Sequence, residues 1–150
     1  MKKKVVYIDM DDTLCDLQAA AKAAKERNPK MPYPQAEYGF YASFNPLPGA
    51  IEAVSKLYDS EKYEPWILTA PSLVNPLCYT EKRVWVEKYL GMRMVERLII
   101  SPNKGLLKGE YLVDDNVEGK GQESFDGVVI QYGSERYPSW NSVLELFSLH

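Results

Sequence analysis

Asp9 and Asp11 stand two residues apart directly after the apolar run Val5-Val6-Tyr7-Ile8, and a second acidic pair, Asp114-Asp115, follows Tyr111-Leu112-Val113. In extended chain alternate side chains point the same way, so both carboxylates of the first pair can face one crevice. Several acids brought together there cannot all stay ionised unaided, because like charges raise one another's pKa; a divalent cation removes the conflict. With oxygen ligands only and no histidine or thiolate nearby, the expected ion is Mg²⁺. Thr69 follows Trp66-Ile67-Leu68, and Lys104 closes the turn after Leu98-Ile99-Ile100. A hydroxyl and an ammonium at those places suit a phosphate group, gripping its oxygens while the metal neutralises developing charge. The only histidine is the last residue, His150, so the natural nucleophile is a carboxylate that passes through an aspartyl phosphate, with the second carboxylate as acid and base.

The elements that must position these groups are legible as alternating strands and helices. Val5–Ile8 reads as a buried strand entering an acidic turn, and the stretch from Leu14 to Arg27, free of Gly and Pro, reads as a helix with Thr13 as its cap. Five of the ten prolines fall between 29 and 48 together with Tyr33, Tyr38, Phe40, Tyr41 and Phe44, a composition that resists regular structure. After Pro48-Gly49 the alternation resumes: a helix with Ile51, Val54, Leu57 and Tyr58 on one face, a strand ending at Thr69, and a helix from Thr80 to Leu90 stopped by Gly91. Strands at Leu98–Ile100, Tyr111–Val113 and Val128–Ile130 follow, and a last helix packs Trp140, Val143, Leu144 and Phe147 into the core. This order predicts an α/β fold, a parallel five-stranded sheet covered on both faces in three Rossmann-like layers. Ligands of such sheets sit at the carboxyl ends of the strands, where Asp9, Asp11, Thr69, Lys104, Asp114 and Asp115 all fall.

Composition bounds the alternatives. One hundred and fifty residues, 45% apolar and 26% charged, suit a single domain with one sizeable core. A net charge of −3 disfavours a nucleic-acid polymer or an anionic membrane as partner. Cys15 and Cys78 are too few for a disulfide framework and lack zinc spacing, so both are expected as packing residues in a reducing compartment. The apolar run after Lys2-Lys3-Lys4 is four residues long, short of the about 7–15 of a signal peptide or the about 20 of a membrane span. A cytoplasmic chain is expected.

With these residues in place, the chain resembles the haloacid dehalogenase superfamily. The hydrophobic strand with Asp9-Met10-Asp11-Asp12-Thr13 matches its first motif, Thr69 its second, Lys104 its third and Asp114-Asp115 its fourth, in order. From Gly39 to Asn116 it looks like the 5'(3')-deoxyribonucleotidases, through Pro48-Gly49-Ala50, Leu68-Thr69-Ala70-Pro71, Glu81-Lys82-Arg83-Val84-Trp85-Val86-Glu87, and Asn103-Lys104 to Asp114-Asp115. The resemblance implies that Asp9 attacks phosphorus and binds Mg²⁺, that Asp11 protonates the leaving oxygen, later activates water and lends its backbone carbonyl to the metal, and that Asp114 completes the metal site. Thr69 and Lys104 would grip phosphate, with Asp115 and Thr13 supporting from behind. A nucleotide is the implied substrate, and a homodimer is left open. Residues 17–48 would form a reduced cap insert, shorter than the helical bundle that carries base-binding aromatics in familiar members; Leu17, Phe40, Tyr41 and Phe44 are the substrate-pocket candidates. Two departures from the family stand out: Asp12 replaces a usual Gly, and Ala70 replaces a usual Ser, removing a hydroxyl donor to phosphate.

Taken singly these residues have plainer readings. Acidic turns are mostly solvated, a lone Lys104 is an exposed loop charge, Thr13 is equally a helix cap, and Phe40, Tyr41 and Phe44 could simply pack an insert against the body. Rival functions are a phosphatase for another small phosphate ester, a receiver-type signalling domain, and an inactive binding protein. Receivers place their lysine last, whereas Lys104 precedes Asp114-Asp115.

Overall fold

The computed structural model describes all 150 residues. Five parallel strands, β1 (Lys4–Ile8), β2 (Tyr63–Thr69), β3 (Leu98–Ile100), β4 (Tyr111–Asp114) and β5 (Val128–Gln131), lie in the order β3-β2-β1-β4-β5. Ile8 stands opposite Ile67 on one side and Val113 on the other, so the central strand and both its neighbours end nearly level. Asp9, Thr69 and Asp114 are thereby set on one edge of the sheet by hydrogen-bond register alone. Asp9 N–H donates to the Val113 carbonyl at 2.9 Å, carrying that register one residue beyond β1.

Side-chain alternation divides the sheet. Val6, Ile8, Ile67, Val113 and Ile130 face the main core, against helices α2 (Ala50–Asp59), α3 (Cys78–Leu90), the one-turn α4 (Met92–Val95) and α5 (Trp140–Leu146). Tyr7, Leu68 and Leu112 face the other way, against Phe125. That second layer contains no α-helical residue; the 3₁₀ turns at Lys104–Leu106 and Gln122–Ser124 stand where crossover helices would, so the two faces are covered unequally. Cys15 and Cys78 are free and fully buried, as their reading as packing residues requires. No helix is long and apolar enough to cross a membrane.

Two helix starts differ from expectation. Helix α1 runs over Leu17–Arg27, and Asp16, accepting from Ala19 N–H, is its cap rather than Thr13. Residues 10–15 form a turn in which the Met10 carbonyl accepts from Thr13, Leu14 and Cys15 N–H groups, drawing the Thr13 hydroxyl toward the acids. Helix α3 begins at Cys78, two residues before Thr80, because Asn75 Oδ1 already accepts from Leu77 N–H one turn earlier; Gly91, at φ +82°, ends it as expected.

The stretch 17–48 comprises α1 and two 3₁₀ turns, Pro34–Ala36 and Phe40–Ala42. Helix α3 and the loop before it fasten this stretch at three points. Asn75 Nδ2 donates to the Gln35 and Glu37 carbonyls at 3.0 and 3.1 Å. Glu81 Oε1 accepts from Tyr41 N–H at 3.0 Å, and Trp85 Nε1 donates to the Phe44 carbonyl at 2.9 Å.

Candidate active site

At the carboxyl edge of the sheet, Asp9, Asp114 and Asp115 present carboxylate oxygens that all lie within 4.8 Å of one another. Lys104, 2% exposed, reaches this group from the turn after β3, with its Nζ 2.8 Å from Asp9 Oδ1 and 2.6 Å from Asp114 Oδ2. Burial by itself would lower the pKa of such a lysine, but Asp9 and Asp114 outweigh it and hold the pKa above the ordinary value. Gln122 Nε2 donates to Asp114 Oδ2 at 3.2 Å and Asn116 N–H to Oδ1 at 2.9 Å. Both oxygens of Asp114 are therefore engaged from within the protein.

Asp115 is placed differently. Its Oδ1 is 3.3 Å from the Thr13 hydroxyl, which lies equally 3.3 Å from Asp9 Oδ2 and accepts from Asp115 N–H. Burial first, and then the hydrogen bond and charge of neighbouring Asp9, push the Asp115 carboxyl up to about 8. Burial and the charge of Asp9 raise Asp114 as well, against the pull of Lys104. The sequence reading set Asp115 behind Asp114; the structure puts it in the same carboxylate cluster, with fewer bonds from its surroundings.

The loops that carry these groups are held rigidly. Trp140 Nε1, from α5, donates to the Thr13 carbonyl at 2.8 Å. Asp12 adopts φ +59°, the left-handed region that favours glycine and which Asp tolerates better than most side chains. Its Oδ1 accepts from the N–H groups of Leu17 and Gln18 at 3.0 and 3.2 Å. The departure from the usual Gly is thus a compatible residue that also caps α1. On the far side, Lys104 N–H donates to the Lys120 carbonyl at 2.7 Å and Asn103 Oδ1 accepts from Gly105 N–H at 3.0 Å. Gly121, at φ +87°, closes that contact, since a Cβ there would collide with Asn103 Oδ1.

A cleft of about 450 Å³ opens over this floor, lined by Asp9, Asp11, Lys104, Asp114 and Asp115, with Leu17, Tyr41, Leu73 and Val74 among its apolar walls. Of the pocket candidates, Leu17 and Tyr41 reach it. Phe40 and Phe44 do not: they are 2% and 1% exposed and stack edge-on against each other, with ring centroids 4.9 Å apart, inside the main core. These two rings are corrected from pocket to packing, since burial against α3 removes them from any ligand's reach.

Thr69 is fully buried at the end of β2 and is not on the cleft surface. Its hydroxyl meets Lys82 Nζ at 2.6 Å, and the same ammonium lies 3.1 Å from Asp11 Oδ2. Lys82 was quoted for family likeness but given no role by sequence reasoning. A signal was present: Cys78, Glu81, Lys82, Trp85 and Val86 are spaced as one helical face, and all five are buried.

The donor set suits a hard divalent cation. All candidate ligands are carboxylate oxygens, the donor type a hard divalent cation such as Mg²⁺ takes, and Lys104 is the one side-chain cation paired to this trio of acids.

A parallel sheet bearing an Asp-x-Asp turn, a threonine, a lysine and an acidic pair at successive strand ends is the architecture of the haloacid-dehalogenase-like fold. The solved structure of the HAD-hydrolase YfnB from Bacillus subtilis, bound to magnesium, shares the fold with a TM-score of 0.67, covering 97% of this chain and 99% of that one at 12% identity. Residues 30–146 match the family described as 5' nucleotidase, deoxy (pyrimidine), cytosolic type C protein. A protein of Vibrio phage KVP40 that carries the name 5'(3')-deoxyribonucleotidase is 36% identical over 144 residues, 95% of this chain and 83% of that relative. The human cytosolic-type 5'(3')-deoxyribonucleotidase is 29% identical over 168 aligned positions, spanning 93% of this chain and 78% of its own length. The chain belongs to the 5'(3')-deoxyribonucleotidase family and is a phosphomonoester hydrolase.

Proposed function

We propose that the chain hydrolyses nucleoside monophosphates, deoxyribonucleotides in particular, through a phosphate ester formed on Asp9, with Mg²⁺ as its cofactor, in the cytoplasm. The observation that carries the reading is the joint placement of Asp9, Asp114, Asp115 and Lys104 on the floor of a cleft large enough for a nucleotide.

Asp9 supplies the nucleophilic oxygen. Its partner Lys104 keeps the carboxylate oriented, and as phosphorus is attacked the same ammonium is at hand for the phosphoryl oxygens. Asp9 and Asp115 would hold the cation, together with the Asp11 backbone carbonyl, while Asp114, whose two oxygens are occupied, fixes Lys104. When bound, a divalent cation there neutralises charge on the transferring phosphoryl group. Asp11 gives a proton to the leaving oxygen and then takes one from the attacking water. Thr69, buried behind the cleft, contributes through Lys82 and its own strand end rather than as an open phosphate ligand. Leu17 and Tyr41 flank the space where a base would lie.

Phosphate release over a panel of ribo- and deoxyribonucleoside monophosphates and sugar phosphates, with Mg²⁺ or EDTA, tests the reading. Deoxyribonucleotides should lead and EDTA should silence them; sugar phosphates leading would overturn the substrate assignment. Asp9→Asn should lower kcat by at least about 1,000-fold, as loss of a nucleophile does. Undiminished turnover by that variant would exclude the ester on Asp9.

A further inference from the structure

Helix α3 carries two charged side chains on its buried face. Glu81 is accounted for by the insert, whose Tyr41 N–H it accepts. Lys82 has no comparable packing reason. It is fully buried, does not line the cleft, and brings an ammonium to a place that Met or Leu of similar length would fill at lower desolvation cost. Its partners are both at the site: Asp11 Oδ2 at 3.1 Å and Thr69 Oγ1 at 2.6 Å, with the Tyr41 ring centroid 5.1 Å from the ammonium.

We propose that Lys82 is a positioning residue for proton transfer: it clamps the Asp11 carboxyl to the end of β2 and so fixes the orientation in which that group meets the leaving oxygen. The inference rests on the reading of Asp11 as the acid. Asp11 Oδ2 belongs to Lys82, whereas Oδ1 is buried with no hydrogen-bond partner. In the first step an Asp9 oxygen bonds to phosphorus, the bond from phosphorus to the ester oxygen breaks, and the Asp11 proton goes to that oxygen, releasing the alcohol. The carboxylate left on Asp11 then meets the Lys82 ammonium. In the second step Asp11 takes a proton from water, the water oxygen bonds to phosphorus, and the bond to Asp9 breaks, giving phosphate. The lysine also occupies an acceptor position of the Thr69 hydroxyl, which anchors the clamp to the sheet edge.

Leaving-group dependence separates this role from a structural one. A nucleoside alkoxide needs the proton in order to leave; a nitrophenolate does not. For Lys82→Met, kcat/KM toward a deoxyribonucleoside monophosphate should fall about 100-fold, the low end of what general acid catalysis supplies, while kcat/KM toward p-nitrophenyl phosphate falls less than about 5-fold. The ratio of the two is independent of how much of the variant is folded, and Lys82→Gln provides the same comparison if the Met variant is not recovered. Asp11→Asn is measured alongside. If it shows no split between the substrates, the reading of Asp11 as acid fails. If it shows the split and both Lys82 variants lose the two substrates equally, or lose neither, the positioning role is overturned.

Discussion

Asp12 offers the sharpest check on how the catalytic turn is built, because its backbone and its side chain make separable contributions. Its φ of +59° costs an ordinary L-residue about 1–2 kcal/mol, a cost that Asp partly evades and Gly escapes. Its carboxylate accepts from Leu17 and Gln18 N–H groups at the start of α1, a capping arrangement worth about 0.5–2 kcal/mol. Asp12→Ala forfeits the cap and takes on the full backbone strain, so it should lose about 2–3 kcal/mol. Asp12→Gly forfeits the cap alone and should lose about 1 kcal/mol. For a chain of this length each kcal/mol moves Tm by about 2–4 °C, so the Ala variant should melt about 4–12 °C below wild type, with Gly between them. Asp12→Asn keeps an acceptor and tolerates the same φ, and should stay within about 2 °C. Thermal unfolding by circular dichroism, in EDTA so that metal binding does not contribute, gives the order directly. Equal losses for Ala and Gly, or a larger loss for Gly, would show that the left-handed backbone at this position costs nothing and that the account of Asp12 is wrong.

Two further outcomes test the placement of the other groups. Lys104→Met strands the buried carboxylates of Asp9 and Asp114, so it should cost about 3–5 kcal/mol of stability in EDTA and reduce turnover at least about 100-fold; a stable, active variant would refute the part given to this ion pair. Phe44→Ala should cost about 3–5 kcal/mol without changing the order of preference among bases, whereas Leu17→Ala should change KM for nucleotides while costing less than about 2 kcal/mol. A change in base preference from Phe44→Ala would restore that ring to the pocket.

The strand ends were legible because short β-branched runs stop abruptly at polar residues, and parallel register then brings those stops to one edge whatever the loops do. Local sequence could not decide between competing uses of one residue. Thr13 and Asp16 are both good caps; the structure uses Asp16, since the Thr13 hydroxyl is drawn to Asp9, four residues before it, and to Asp115, 102 residues after it. Nor could composition say which way an aromatic of the insert faces. Phe40 and Phe44 turn inward because Trp85 and Glu81 of α3 bind the adjacent backbone, while Tyr41, between them, keeps an edge on the cleft. Lys82 is not legible as a buried group from its residue type, since a helical lysine is ordinarily solvated, although its spacing from Cys78 and Trp85 places it on the buried stripe.

The two buried lysines divide the acids at this edge into parts with different needs. Lys104 arrives from the connection between β3 and β4 and pairs with Asp9 and Asp114; Lys82 arrives from α3, on the other side of β1, and pairs with Asp11. Without that division, five carboxylates around one cleft would exchange protons with one another, and none would have a defined charge state. With it, Asp9 and Asp11 are each held by a separate ammonium, at what on the proposed mechanism are the points of attack and of proton transfer. Asp115 is then the acid of the cluster with no lysine of its own, and its carboxyl, pushed up to about 8 by burial and by Asp9, is the one whose ionised form a divalent cation would favour. Two carboxylates of the same residue type, two positions apart, are thus anchored from different sides of β1, which is what the proposed division into nucleophile and acid requires.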